Sequence, residues 1–144
     1  MAKAARSEKL KEAFEKHRTE TEGQIERLEK VFAVIEQKPQ GKTCAAINGI
    51  TEEGAEIMEE YKGSPALDAG LLAAAQAVEH YEISRYGTLR TWAGQMGLSK
   101  AVRLLEQTLE EEKATDLSLT ELAEAAVNQE AETAEASRSA STRG

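Results

Sequence analysis

The sequence predicts an all-α protein built as a bundle of long helices, and three observations carry that expectation. Ala, Glu and Leu dominate, whereas aromatic residues make up only 4% and proline occurs only at Pro39 and Pro65, so strong helix formers meet few breakers. Apolar residues recur at spacings of three and four along three long stretches, the period of one helix face. Capping residues stand where those stretches begin, and Gly or Pro where they end. A chain of 144 residues fits one domain with a sizeable core. That domain is expected over 1–136, with 137–144, a run of Ser, Arg, Ala, Thr and Gly, as a disordered tail.

Each element follows from local signals. Ser7 is a plausible N-cap for a first helix reaching about Glu36, stopped by Pro39 and Gly41. Its inward stripe reads Leu10, Phe14, His17, Glu20/Thr21, Gln24, Leu28, Val31/Phe32, Ile35, and is polar in the middle. A shorter helix is expected from near Thr51, where Thr51-Glu52-Glu53 supplies a cap and an acidic first turn, to Lys62-Gly63. Ser64-Pro65 then marks the start of a long helix to about Gln95, closed by Gly94 and Gly97. Ser99 caps the last one, from Lys100 to roughly Thr133.

Charge and composition exclude several function classes. Eighteen basic against 26 acidic residues give a net charge of −8, which repels nucleic acid and anionic membrane and attracts cations. Cys44 is the single cysteine, so an intrachain disulfide and a cysteine-based zinc or iron–sulfur site are excluded. No apolar run approaches the roughly 20 residues of a membrane helix, and Met1 to Arg6 lacks the apolar segment of a signal peptide. The sequence therefore reads as soluble and cytoplasmic, with neither nucleic acid nor membrane as partner. There is no glycine-rich phosphate loop, and Trp92 alone makes no sugar cleft.

The informative feature is carboxylates on apolar faces. Leu71, Ala75 and Val78 run along one helix face into Glu82, with Glu79 one turn earlier. An unpaired ionised carboxylate is so costly to bury that two on one inward face imply hydrogen-bonded pairing, proton uptake or a bound cation. In the last helix Glu112 and Asp116 interrupt the row of Leu105, Leu109 and Leu119, and in the first His17 and Glu20 stand mid-stripe. Three helices side by side would bring Glu20, Glu79, Glu82 and Glu112 to one level, with His17 and Asp116 beside them. Carboxylates with imidazole suit iron or manganese. Glu110 and Glu111 are expected to face solvent, His80 to point outward, and Cys44 to be a small buried apolar residue.

The segments Lys16 to Leu28, Val78 to Leu89 and Thr108 to Asp116 closely resemble the YciE/YciF bacterial stress-protein family, a branch of the ferritin-like superfamily. The resemblance covers nearly everything from Met1 to about Thr133. It implies a ferritin-like antiparallel helix bundle with a short helical insert in the crossover, a homo-oligomer, usually a dimer, and metal-ligand roles for Glu20, Glu79, Glu82 and Glu112 around a di-iron or di-manganese centre. Family members normally begin with another helix, so here the first bundle helix is expected to be missing or truncated. That would leave an apolar seam lined by Leu10, Phe14, Leu28 and Leu105. The usual Glu-x-x-His pairs are also absent: Gly23 follows Glu20 by three, and Thr115 follows Glu112. His17 and Asp116 are the nearest substitutes.

Two readings of different class follow. In one, a carboxylate-bridged di-metal centre handles iron, oxygen or peroxide. In the other, the bundle is a non-catalytic structural or interaction module whose polar layer sets helix register. No catalytic residue is assigned from sequence.

Overall fold

A computed structural model describes the backbone of residues 1–141. Among the described residues every regular element is helical: α1 is Glu8–Val34, α2 Ala45–Glu60, α3 Leu67–Gln95, α4 Ser99–Leu122 and α5 Asn128–Ser141, with a π-helical segment, Ala123–Val127, joining the last two. α4 packs against both α1 and α3, α2 lies on the other side of α3, and α1 and α3 stand diagonally across the bundle. Bonded pairs fix the directions. Gln24 meets Glu111 and Arg27 meets Thr108, so α1 is antiparallel to α4. Gln76 meets Asp116 and Arg90 meets Glu106, so α3 is antiparallel to α4 as well. α1 and α3 are therefore parallel, and the crossover between them is the segment carrying α2.

Helix boundaries show which local signals governed. Ser7 caps α1 as expected, its hydroxyl accepting from the Leu10 amide. Glu36 adopts a left-handed φ of 56° just past the helix end, a terminating conformation glycine usually supplies. α2 begins at Ala45, six residues before the expected Thr51. Thr51 lies inside the helix, its hydroxyl donating to the Ile47 and Asn48 carbonyls instead of capping. The start moves because Ile50, Ile57 and Met58 form a stripe that α3 covers, and Ala45 and Ala46 extend that helix without cost. Gly97, at φ 71°, closes α3. In the region where a tail is expected over 137–144, helical backbone continues to Ser141, and 142–144 lie outside the described residues.

α2 approaches α3 closely because glycines line the crossing. A Cβ at Gly70 would stand 2.7 Å from the Ile57 Cγ2, and one at Gly54 would meet Ala74 at 3.6 Å. α3 is thus covered on two sides, and Leu71, Leu72, Ala74 and Ala75 are all buried.

The interior has three levels. At one end Leu10, Leu67, Leu71, Leu119, Ala123 and Val127 form an apolar cluster. Leu119, Ala123 and Val127 are spaced by four, which would drift around an α-helix; the wider π turn keeps them on one line facing the cluster. At the other end Ala93, Ala101 and Leu105 pack with Leu28, Val31 and Tyr86. The polar level lies between.

Asp68 ties the first end together. Its buried carboxylate accepts the Arg6 and Ser7 backbone amides at 2.8 and 2.7 Å, joining the start of α1 to α3. Replacing Asp68 with Ala leaves two donors unmatched and is expected to cost about 2–3 kcal/mol. A lowered urea midpoint with an unchanged slope would show this, and Asp68→Asn, with one acceptor oxygen, should recover part of it.

The apolar face left open follows the expected seam in part. Leu10 is fully buried, whereas Leu28 and Leu105 line a groove of roughly 540 Å³ between the C-terminal halves of α1 and α3, walled further by Val31, Phe32, Leu89, Trp92 and Met96. Phe14 lines a second groove of similar volume beside His17 and Thr21. Trp92 is 57% and Met96 71% exposed. No helix among the described residues is long and apolar enough to cross a membrane.

Candidate metal centre

The polar level is assembled from three helices. α1 contributes His17 and Gln24, α3 contributes Glu79 and Glu82, and α4 contributes Glu112. Leu71 and Ala75 are buried on α3, and Glu79 continues their face at 1% exposure. On α4, Leu105, Leu109 and Leu119 set the azimuth at which Glu112 enters the interior, with 0% exposure. His17 follows Leu10 by two turns on α1 and places Nε2 3.4 Å from Glu79 Oε1.

One ligand atom each from His17, Glu79 and Glu82 lies within 4.8 Å of the others. Glu112 faces Glu79 from α4 but is not part of this converging trio. Four buried polar atoms here have no hydrogen-bond partner: His17 Nδ1, Glu79 Oε2 and both Glu112 oxygens. Each unmatched carboxylate oxygen carries a desolvation cost of order kilocalories per mole, and their coincidence at one level makes this layer the candidate site.

Electrostatics agrees with the geometry. Burial, followed by the neighbouring Glu112, pushes the Glu79 carboxyl up to about 9. Burial and Glu112 push Glu82 up to about 7. Burial also raises Glu112, partly opposed by Glu79 and His17. Tyr86, one turn beyond Glu82, is pushed up to about 12 by burial and by the charges of Glu82 and Glu112. Glu79 and Glu112 titrate as a pair, so near neutral pH the cation-free layer retains protons that a divalent cation would displace.

The six residues expected at the centre separate into two groups. His17, Glu79, Glu82 and Glu112 meet at one level. Glu20 does not join them: its carboxylate pairs with Lys16 at 3.2 Å on its own helix. Asp116 accepts from Gln76 at 3.1 Å and faces His80 at 3.2 Å, close enough to bear on Glu79 but engaged at the edge of the level. His80 is largely exposed as expected, though paired. Cys44 departs from expectation: it is half-exposed, its Sγ is 2.9 Å from the Tyr81 hydroxyl, and the thiol is held below its usual range, where the Ile47 backbone amide and Tyr81 outweigh burial.

Glu111 is the larger surprise. It is not a solvent-facing residue: Arg27 donates to both its oxygens at 2.8 Å. Burial alone would raise this carboxyl, but the hydrogen bonds from Arg27 and Gln24 outweigh it and hold Glu111 below the usual carboxylate range. Arg27 also donates to the buried Thr108 hydroxyl at 2.7 Å. The only sequence signal for this fork was Gln24 on the inward stripe of α1, one turn before Arg27.

Antiparallel helices enclosing a His–carboxylate layer define an all-α helix bundle. The chain belongs to the family described as a domain of unknown function, DUF892, which matches residues 1–132. It is 50% identical over 133 residues to Protein YciF of Escherichia coli K12, covering 92% of this chain and 80% of that protein. The crystal structure of the E. coli stress protein YciF superposes with a TM-score of 0.83 at 50% identity, covering 88% of this chain and 80% of that one. The structure of YcfI from Rhodopseudomonas palustris, described as a candidate structural protein, gives a TM-score of 0.79 at 45% identity, covering 83% and 76%.

Proposed function

We propose that this chain binds a divalent cation, iron(II) or manganese(II), at His17, Glu79 and Glu82, with Glu112 as the buried counter-charge, and that it serves a stress-associated role in iron, oxygen or peroxide handling. One observation carries the reading: four buried polar atoms without partners, on three helices, at one level. Imidazole and carboxylate donors suit both metals. Bound there, iron would supply one-electron redox chemistry; the chain supplies the donors, the dry surroundings and the protons held by Glu79 and Glu112. The stress association rests on the likeness to YciF, whose structure is described as that of a stress protein.

The converging trio suits one ion. A second ion of a carboxylate-bridged pair would call on Glu112 with Glu20 or Asp116, and those two are engaged by Lys16 and by Gln76 with His80. The expected stoichiometry is therefore one cation per chain. Anaerobic equilibrium dialysis with Fe²⁺ or Mn²⁺ at pH 7.5 tests it: about one ion per chain supports the site, two would restore the di-metal centre, and none would favour the alternative of a structural module whose polar layer sets register. That alternative draws on the structural description of YcfI.

A further inference from the structure

Glu111 and Glu112 are consecutive on α4 and have opposite surroundings. Both Glu112 oxygens are buried without partners. Glu111 accepts from Arg27 Nη1 and Nη2 at 2.8 Å each, from Gln24 Nε2 at 3.3 Å and from Gln107 Nε2 at 3.4 Å. Successive helical residues project 100° apart, so tying Glu111 to α1 also sets the direction in which Glu112 enters the bundle. Arg27 grips α4 a second time at Thr108, one turn before Glu112.

Gln24 occupies the junction. It is 3% exposed, donates to Glu111 Oε2 at 3.3 Å, and bears on the adjacent Glu112 carboxyl, lowering it, without closing a hydrogen bond to it. A carboxamide can donate to an ionised carboxylate or accept from a protonated one, and it carries no charge in either case. An arginine at the same place would pair with Glu112 and repel a cation. Arg27 reaches α4 at Glu111 and Thr108, one residue and one turn from Glu112, and its guanidinium is engaged there in a bidentate pair with Glu111.

We infer that Gln24 is the positioning residue for Glu112 in the cation site, and that the Arg27–Glu111 fork keeps the arginine charge away from that carboxylate. The inference rests on the cation reading above. It makes Glu111, a residue outside the converging donors, a determinant of affinity through charge. Partners of this kind around metal ligands typically alter affinity 10- to 100-fold.

Co²⁺ is the probe, because its visible absorption reports the ligand set directly. Gln24→Met is expected to weaken Co²⁺ binding about tenfold as the Glu112 counter-charge turns away, with the absorption envelope of the His17, Glu79 and Glu82 donors retained. Glu111→Gln is expected to weaken it by more, since the released Arg27 pairs with Glu112. The double variant Arg27→Met/Glu111→Gln, with neither charge, should regain most of the affinity lost in Glu111→Gln, a rescue that a merely structural role of the fork would not give. Wild-type affinity in Gln24→Met, or no rescue in the double variant, would overturn this inference while leaving the cation site standing. No Co²⁺ binding by the wild-type chain would overturn the cation reading and this inference with it.

Discussion

Glu112→Gln is expected to stabilise the cation-free protein at pH 8 and to abolish its stabilisation by Mn²⁺. Glu112 is fully buried with both oxygens unpartnered and with Glu79 beside it. Removing its ionisable group relieves desolvation and repulsion together, a gain of about 1–3 kcal/mol. In the proposed function the same carboxylate would balance the charge of a cation at His17, Glu79 and Glu82. At a free Mn²⁺ concentration near 100 times Kd the wild-type chain gains about 2.7 kcal/mol, and the variant should lose most of that. The two effects oppose each other, so the order of melting temperatures should invert on adding Mn²⁺: variant above wild type without metal, below it with metal. A variant that melts lower in both conditions would show that Glu112 is held by structural interactions and serves no cation.

The second large effect is a stability that falls with pH. Glu79 is raised to about 9 and Glu82 to about 7, by burial first and by Glu112 second. In the unfolded chain both carboxyls ionise near 4.5. Between those limits the folded protein holds more protons than the unfolded one, so unfolding free energy declines as pH rises through the interval. The contribution is largest near and below the unfolded value, declines through pH 7 as Glu82 ionises, and continues to fall toward 9 as Glu79 follows. Glu111 has the opposite sign, because it is held below its ordinary value and its contribution is lost only as pH falls below the ordinary carboxylate range. His17 from α1, with Glu111, Glu112 and Asp116 from α4, faces the two glutamates and sets the background for this titration. The cation-free protein should melt roughly 5–10 °C higher at pH 5.5 than at pH 8, corresponding to about 2 kcal/mol. Saturating Mn²⁺ should flatten or invert the trend, because the cation binds the deprotonated donors. A cation-free protein that melts higher at pH 8 would mean that the glutamates are satisfied in the fold and their carboxyls are not raised.

Most of the bundle and part of the site were legible in the chain. Ser7, Gly97 and the three- and four-residue spacing placed the long helices, because caps and periodicity are local properties. The phase of Leu71 and Ala75 pointed Glu79 inward, and Leu105, Leu109 and Leu119 did the same for Glu112. Thr51 misled because a capping residue is also tolerated inside a helix, where its hydroxyl bonds back to the preceding turn.

Residue order along the chain specifies an all-helical bundle with a mid-level of acidic and imidazole groups. That much follows from propensity, periodicity and the rarity of a carboxylate in an apolar row. Tertiary structure decided which groups meet. Glu20 and Asp116 stand on the expected helices yet are drawn to Lys16, Gln76 and His80, and Glu111 turns from solvent to Arg27. The face carrying Trp92 and Met96 remains open, whereas Leu10 is covered. The physical reason is that a helical period fixes azimuth to within about one residue, or 100°, while partner choice depends on the relative rotation and axial register of two packed helices. Those quantities are set by contacts between residues distant in the chain, such as Arg27 with Glu111, and no spacing within either helix encodes them.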